Sequence, residues 1–256
     1  MWIRAQVQAL PRHSAASERL TRQPEAPTHV VAAAVIDSTG RVLIAQRPPG
    51  KHLAGGWEFP GGKLEAGEDR RAGLVRELRE ELGITLIAPP RPLIRVRHRY
   101  DYGEVLIDTW VVRRYSGEPR GLDAQALRWC TRDELETANL LPADGPIVAA
   151  LRLPERLSQL STPDYVLGRS ADADPAGRLR GVWCVGLADA MAASDAGADF
   201  LVLRERLAQL EIRSLCELVA VPVYVRGLGV ETAWEIGATG IVETGVENLE
   251  SAPNRE

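Results

Sequence analysis

An α/β fold is what this sequence predicts, on three observations. Two short apolar runs bounded by turn residues, 29–36 (HVVAAAVI) and 41–46 (RVLIAQ), read as strands. The stretch 69–82 sets Leu74, Leu78 and Leu82 at helical spacing, so one stripe of it faces a core. Beyond residue 181 the chain repeats itself: VWCVGL at 182–187 echoes VYVRGL at 223–228, and AGADFLV echoes IGATGIV. Each copy reads strand, helix, strand, helix, with the short β-branched runs of a buried parallel sheet.

Composition sets outer limits. At 256 residues the chain has room for one large or two modest domains. A net charge of -4 leaves no overall basic footprint, so no nucleic-acid polymer is expected as partner. Cys130, Cys184 and Cys216 are too few and too far apart for a CxxC metal site, and they fit a reducing compartment. The longest apolar runs are too short to span a bilayer. No membrane partner is expected, and the protein reads as soluble and cytoplasmic.

Taken in order, residues 1–28 carry Arg4, Arg12, Arg19 and Arg22 with three prolines and little apolar periodicity, and read as a disordered tail. A first domain is expected over 29–155. A linker follows over 156–181, where STPD and ADADPAG cluster, then the βα repeat over 182–246 and a tail over 247–256. Within the first domain the turn DSTG at 37–40 joins the first two strands as a hairpin. After the helix come a proline-rich connector at 88–92, a strand at 93–99, a turn at 101–103 and a strand at 105–113. A short helical turn begins at Asp133, and 141–151 leads into the last helix of the domain.

The richest stretch is 61–84, GGKLEAGEDRRAGLVRELREELGI. Gly61 and Gly62 permit a tight loop with unusual φ. Glu77, Glu80 and Glu81 fall at i, i+3 and i+4 and share one helical face. Three carboxylates within a turn repel one another and raise the pKa of at least one. A hard divalent cation would relieve that cost. The alternative is a solvated acidic face paired with Arg70, Arg71, Arg76 and Arg79.

The same stretch matches every fixed position of G-x5-E-x7-R-E-U-x-E-E-x-G-U, with U aliphatic: Gly62, Glu68, Arg76, Glu77, Leu78, Glu80, Glu81, Gly83 and Ile84. It resembles the Nudix box. The run WEFPGGKLE at 57–65 is similar to the L-E-F-P-G-G-K-x-E of the MutT-like branch of that family. The resemblance covers roughly 29–155 and implies an α/β/α sandwich with a mixed sheet. It also implies hydrolysis of a nucleoside triphosphate, 8-oxo-dGTP foremost, to monophosphate and pyrophosphate.

Residue by residue, the resemblance implies Mg2+, with Mn2+ as substitute, held by the Gly61 carbonyl, Glu77, Glu80 and Glu81. Glu77 or Glu80 would be the general base, and Arg76 would pair with Glu68 and orient Glu77. Arg47 and His52 would contact the phosphates or sugar, Glu58, Phe59, Pro60 and Gly61 would frame the purine, and Tyr100 would lie against the base. The segment SGEPRGLDAQALRW at 116–129 resembles the family's E-G-E-P-x-G-x-E-G-Q-x-x-x-W. Asp123 stands there for the glutamate that assists the metal, and Ala124 for the glycine. Asp144 stands where MutT places an asparagine to read the purine edge.

The second half resembles the last strands of the thiamine phosphate synthase barrel, which implies a truncated, half TIM-barrel-like βα repeat. Its edges would be exposed unless it pairs with a second copy as a homodimer or packs on the first domain. Gly227 and Gly229 either cradle a phosphate or serve a strand-to-helix turn. Two other functional readings stay open. Tyr100 and Tyr102, lying beyond Ile84, resemble the tyrosine of dinucleoside polyphosphate hydrolases, and ADP-ribose hydrolysis stands beside that reading. A non-catalytic nucleotide or thiamine-phosphate sensor is the other, against which the intact set of box glutamates argues.

Overall fold

A computed structural model of the chain describes residues 26–172, 174–204 and 207–246. The tails expected at 1–28 and 247–256 lie outside these residues, apart from 26–28, where the first strand already begins.

That strand, β1 (Thr28–Val35), organises the first unit. It runs parallel to β7 (Gly103–Val112) along its whole length and antiparallel to β4 (Gly61–Lys63) on its other side. β6 (Arg91–Tyr100) completes a mixed sheet of order β4-β1-β7-β6. Side chains of β1 alternate between two cores, as the period of two requires. Val31, Ala33 and Val35 meet Leu74, Leu78 and Leu82 of α1 (Arg70–Leu82). Ala32 and Ala34 belong to the opposite core, with Ile147 and Ala150 of α3 (Gly145–Ala150). Helices therefore cover both faces of a mixed sheet, as expected.

The hairpin expected of the first two strands does not form. β2 (Val42–Gln46) touches β1 only through the bridge Ile36 to Val42 and instead pairs with β3 (Trp57–Glu58) and β9 (Leu127–Cys130) in a separate antiparallel sheet. Both edges of β1 are already taken. The Asp37 carboxylate also collects the Thr39 and Arg41 backbone amides, at 2.8 and 3.0 Å, in a turn that sends β2 away. β5 (Thr85–Leu86) pairs with β8 (Tyr115–Ser116), and α2 (Arg132–Thr137) starts from a capping box made by Thr131 and Glu134.

The second unit starts earlier than the repeat suggested. The stretch 156–181, expected as a linker, contributes β10 (Arg156–Leu157), β11 (Tyr165–Gly168) and the start of β12 (Leu179–Cys184). With β13 (Phe200–Leu203), β14 (Val223–Val225) and β15 (Gly240–Val242) they form a six-stranded parallel sheet of order β10-β15-β14-β13-β12-β11. α4 (Leu187–Asp195), α5 (Gln209–Leu218) and α6 (Val230–Glu235) alternate with the later strands. Ala190, Ile212 and Leu215 cover one face, while Trp183, Phe200, Val202 and Tyr224 fill the other.

Of the two edges of this sheet, the β11 edge is covered within the chain. Just past β10 the backbone returns onto β11, with Leu167 N–H donating to Leu160 O at 2.7 Å and Thr162 N–H to Tyr165 O at 2.8 Å. The unit also docks on the free edge of β6. Thr239 Oγ1 donates to Leu93 O at 2.9 Å, Arg91 donates to Thr239 O at 3.3 Å, and Arg70 pairs with Glu217 at 3.0 Å. Among the described residues no helix is long and apolar enough to cross a membrane.

Candidate active site

One cleft of the first unit, about 730 Å3 in volume, gathers most of the residues singled out by sequence. Its floor is apolar, from Val30, Ala32, Val105 and Ile107 of the central strands. Its walls hold Arg47, His52, Glu58, Phe59, Gly61, Glu77, Glu81, Tyr100, Asp123 and Asp144. Elements far apart in sequence thus converge at one end of the sheet.

The acidic wall is set by α1. Asp69 caps the helix by accepting the Arg71 and Ala72 amides, and Gly83 ends it at φ 68. Gly62 has a steric reason: a Cβ there would stand 2.5 Å from the Glu77 carboxyl group. Gly61, at φ 148, would drive a Cβ to 2.0 Å from Val31 O, and its own N–H donates to Glu81 Oε2 at 3.1 Å. Arg76 lies behind this wall. It holds Glu68 through two 2.8 Å bonds, Glu77 at 2.8 Å and the Lys63 carbonyl at 3.1 Å. Glu77 is thereby aimed by an arginine that is itself clamped.

Glu80 departs from expectation. Its side chain is 55% exposed and pairs with Arg76 at 3.2 Å, so the structure does not bring it into the cleft with Glu77 and Glu81. The arginine one turn earlier captures it. Pro60 likewise sits behind the wall; its carbonyl accepts the Ala33 amide at 2.9 Å. Asp123 does reach the cleft, on a loop where Ala124 adopts φ 60. That conformation explains a glycine preference at this position.

Electrostatics divide the carboxylates. Burial pushes Glu81 up to about 7, with Glu77 and Glu58 adding like charge and the Gly61 amide opposing. Burial also raises Glu58, offset by its ion pair with Arg47, whose Nε donates to His52 O at 2.7 Å. Asp144 is the extreme case. Only 4% exposed, it is raised well above the usual carboxylate value by burial and by Glu58, although Arg47 and a bond from the Phe59 backbone oppose. Its Oδ2 has no hydrogen-bond partner.

Four contributors escaped the sequence reading. Lys51 and Leu53 line the cleft, Leu53 at φ 58. Tyr102, noted in sequence only for a rival substrate, stacks on Tyr100 at 5.1 Å, and His52 meets its ring edge-on at 4.6 Å. Gln125 is buried and ties the Asp123 loop to α1, accepting Asp123 N–H at 2.8 Å and donating to Glu81 O at 3.2 Å. The glutamine of the 116–129 motif was its signal.

Residues 31–150 match the model of the NUDIX domain. The CTP pyrophosphohydrolase of Escherichia coli is 41% identical over 121 residues, which cover 47% of this chain and 88% of that protein. A putative 8-oxo-dGTP diphosphatase 2 of Mycobacterium tuberculosis is 42% identical, over 48% of this chain and 86% of that one. The chain belongs to the Nudix family. The solution structure of the E. coli ORF135 protein, 38% identical, overlays with a TM-score of 0.43 on 48% of this chain and 86% of that one.

As a Nudix protein the chain is a hydrolase acting on phosphorus-containing anhydrides, a family that generally uses divalent metal ions. Among the described residues no group of three His, Cys, Asp or Glu side chains stands ready to hold a metal by itself. The donor chemistry nonetheless fits a hard cation. Glu77 and Glu81 crowd negative charge onto a half-buried wall, and the raised Glu81 records the cost that a cation would remove.

Proposed function

We propose that this Nudix protein hydrolyses a nucleoside triphosphate to monophosphate and pyrophosphate, with 8-oxo-dGTP as the leading substrate. The observation that carries the base assignment is Asp144, buried at the cleft with one oxygen unpartnered. Burial works against its ionised form, and in its protonated form the carboxyl group both donates and accepts, which suits a purine edge offering an N–H beside a carbonyl. Arg47, kept in place by Glu58 and the His52 carbonyl, meets the phosphates. The Tyr100–Tyr102 stack bounds the base or sugar.

Glu77 and Glu81, with Asp123 from the facing loop, are the side chains that would hold Mg2+. A bound Mg2+ supplies charge neutralisation at the phosphoryl oxygens. Arg76 acts as a positioning residue through Glu77. Glu77, the one of the two proposed bases that lines the cleft, takes the proton of the attacking water.

The test is Mg2+-dependent release of pyrophosphate against phosphate from a panel of 8-oxo-dGTP, dGTP, CTP, diadenosine polyphosphates and ADP-ribose. Glu81→Gln should lower kcat by roughly a hundredfold to ten-thousandfold, and full activity in a folded variant would remove Glu81 from the site. CTP is the second reading, since a relative 41% identical bears that name. Asp144→Asn should change the 8-oxo-dGTP to CTP ratio in kcat/KM; an unchanged ratio would mean Asp144 does not read the base.

A further inference from the structure

Where the two units meet, five arginines converge on a groove of about 650 Å3: Arg91, Arg113, Arg132, Arg152 and Arg156. Two carboxylates line it with them, Glu155 and Asp164, and Asp164 is already shared by Arg132 and Arg152 at 3.1 and 3.3 Å. A chain of net charge -4 thus keeps one concave surface strongly basic. We propose that this groove is a second binding site, for a small phosphate oxyanion such as phosphate or pyrophosphate.

Arg91 carries the argument furthest. It is only 8% exposed, and its side chain makes one hydrogen bond, to the Thr239 carbonyl at 3.3 Å. A guanidinium has five N–H donors. Burial works against the charge of Arg91, and so does Arg113, with Tyr224 and Glu155 supporting it, and most of its donors have no protein acceptor. An oxyanion with several acceptor oxygens supplies the acceptors and adds counter-charge for the five arginines.

The remaining wall suits a phosphate better than a nucleobase. Ser158, Gln159 and Thr162 add hydroxyl and amide groups. The aromatic residue of the wall, Tyr165, is 3% exposed, with its ring edge-on to Phe200 and its hydroxyl on the Gln159 carbonyl, so it offers no stacking face. The groove is also separate from the catalytic cleft. It lies at Ile36 and Arg113, past the ends of β1 and β7, whereas the cleft opens at Thr28, Val30 and Val105 near their starts, a separation of roughly 20 Å at the rise of a strand. Arg91 and Arg113 come from the first unit, and Arg156 and Thr162 from the second. An oxyanion held between them clamps the units together.

The test is calorimetric titration of the full chain with pyrophosphate, and separately with phosphate, in EDTA at fixed ionic strength. Saturable binding to one site is expected, with a raised thermal midpoint. R113E/R156E, which reverses two exposed charges, should weaken binding by about tenfold or more without lowering the ligand-free midpoint. Arg47→Ala, in the cleft, should leave binding intact. Binding of both titrants points to a single phosphoryl group as the recognised unit; binding of pyrophosphate alone points to a diphosphate, and both support the site. The proposal is overturned by absence of saturable binding, by full binding in R113E/R156E, by its loss in Arg47→Ala, or by a mixed-sequence oligoribonucleotide that binds when pyrophosphate does not.

Discussion

Asp144 shows at the scale of one residue how burial works against the ionised form of an acid. In the unfolded chain it ionises near 3.8, while in the folded protein its value is far higher. Between those two values the folded state binds more protons than the unfolded state, so this group makes stability fall as pH rises. Asp144→Asn cannot titrate. The variant should therefore gain on the wild type from about pH 4 upward, by at most about 1.4 kcal/mol per pH unit. Urea melts across that range check it, and parallel stability curves would mean that Asp144 is ionised in the folded state. Ala124 offers a simpler case. Ala124→Gly relieves a left-handed backbone and should stabilise the protein by about 1 kcal/mol, read as a higher urea midpoint; a lower midpoint would show that the loop is not strained. Glu77 and Glu81 were legible as candidates because their helical spacing is local, and Asp144 only through the resemblance to the MutT-like branch. It could not tell that Arg76 holds Glu80 outside the cleft, since shared helical face does not choose between two partners. Nor could it foresee the burial of Asp144, which depends on elements remote in the chain.

At the scale of elements, the coupling of β4 to α1 decides whether the acidic wall is aimed. Gly62→Ala pushes a Cβ into the space of the Glu77 carboxyl group. A displacement of that size should lower kcat by about a hundredfold with helix content unchanged by circular dichroism. Wild-type kcat in this variant would show that Glu77 has room to spare. Elements long enough to show a period were legible: α1, β6 and β7 lie within a few residues of expectation. β3, β5, β8 and β10 have two residues each, too few for any period, and were missed. β11 was hidden by the polar residues around it, and 156–181 read as a linker for that reason. The β1–β2 turn was readable, but pairing was not, because it depended on which strands had already claimed the edges of β1.

For the whole molecule, the contact between units includes buried polar groups at the β6 edge. Thr239 is 3% exposed; its hydroxyl donates to Leu93 O and accepts the Val223 amide at 3.2 Å. Thr239→Val leaves both partners unpaired and should cost about 1–3 kcal/mol, measured by chemical denaturation of the full chain. An unchanged midpoint would mean that the docking seen here contributes nothing to stability. The position of β15 between β10 and β14 bears on synthesis as well. The first unit has all its strands and helices once residue 150 has left the ribosome, but β10 has no strand to join until residue 242 follows, a wait of roughly ten seconds at ordinary elongation rates. Through that interval the β6 edge, with its unpaired Leu93 carbonyl, is open to neighbouring nascent chains, so the order of translation makes the completed catalytic unit the partner that waits.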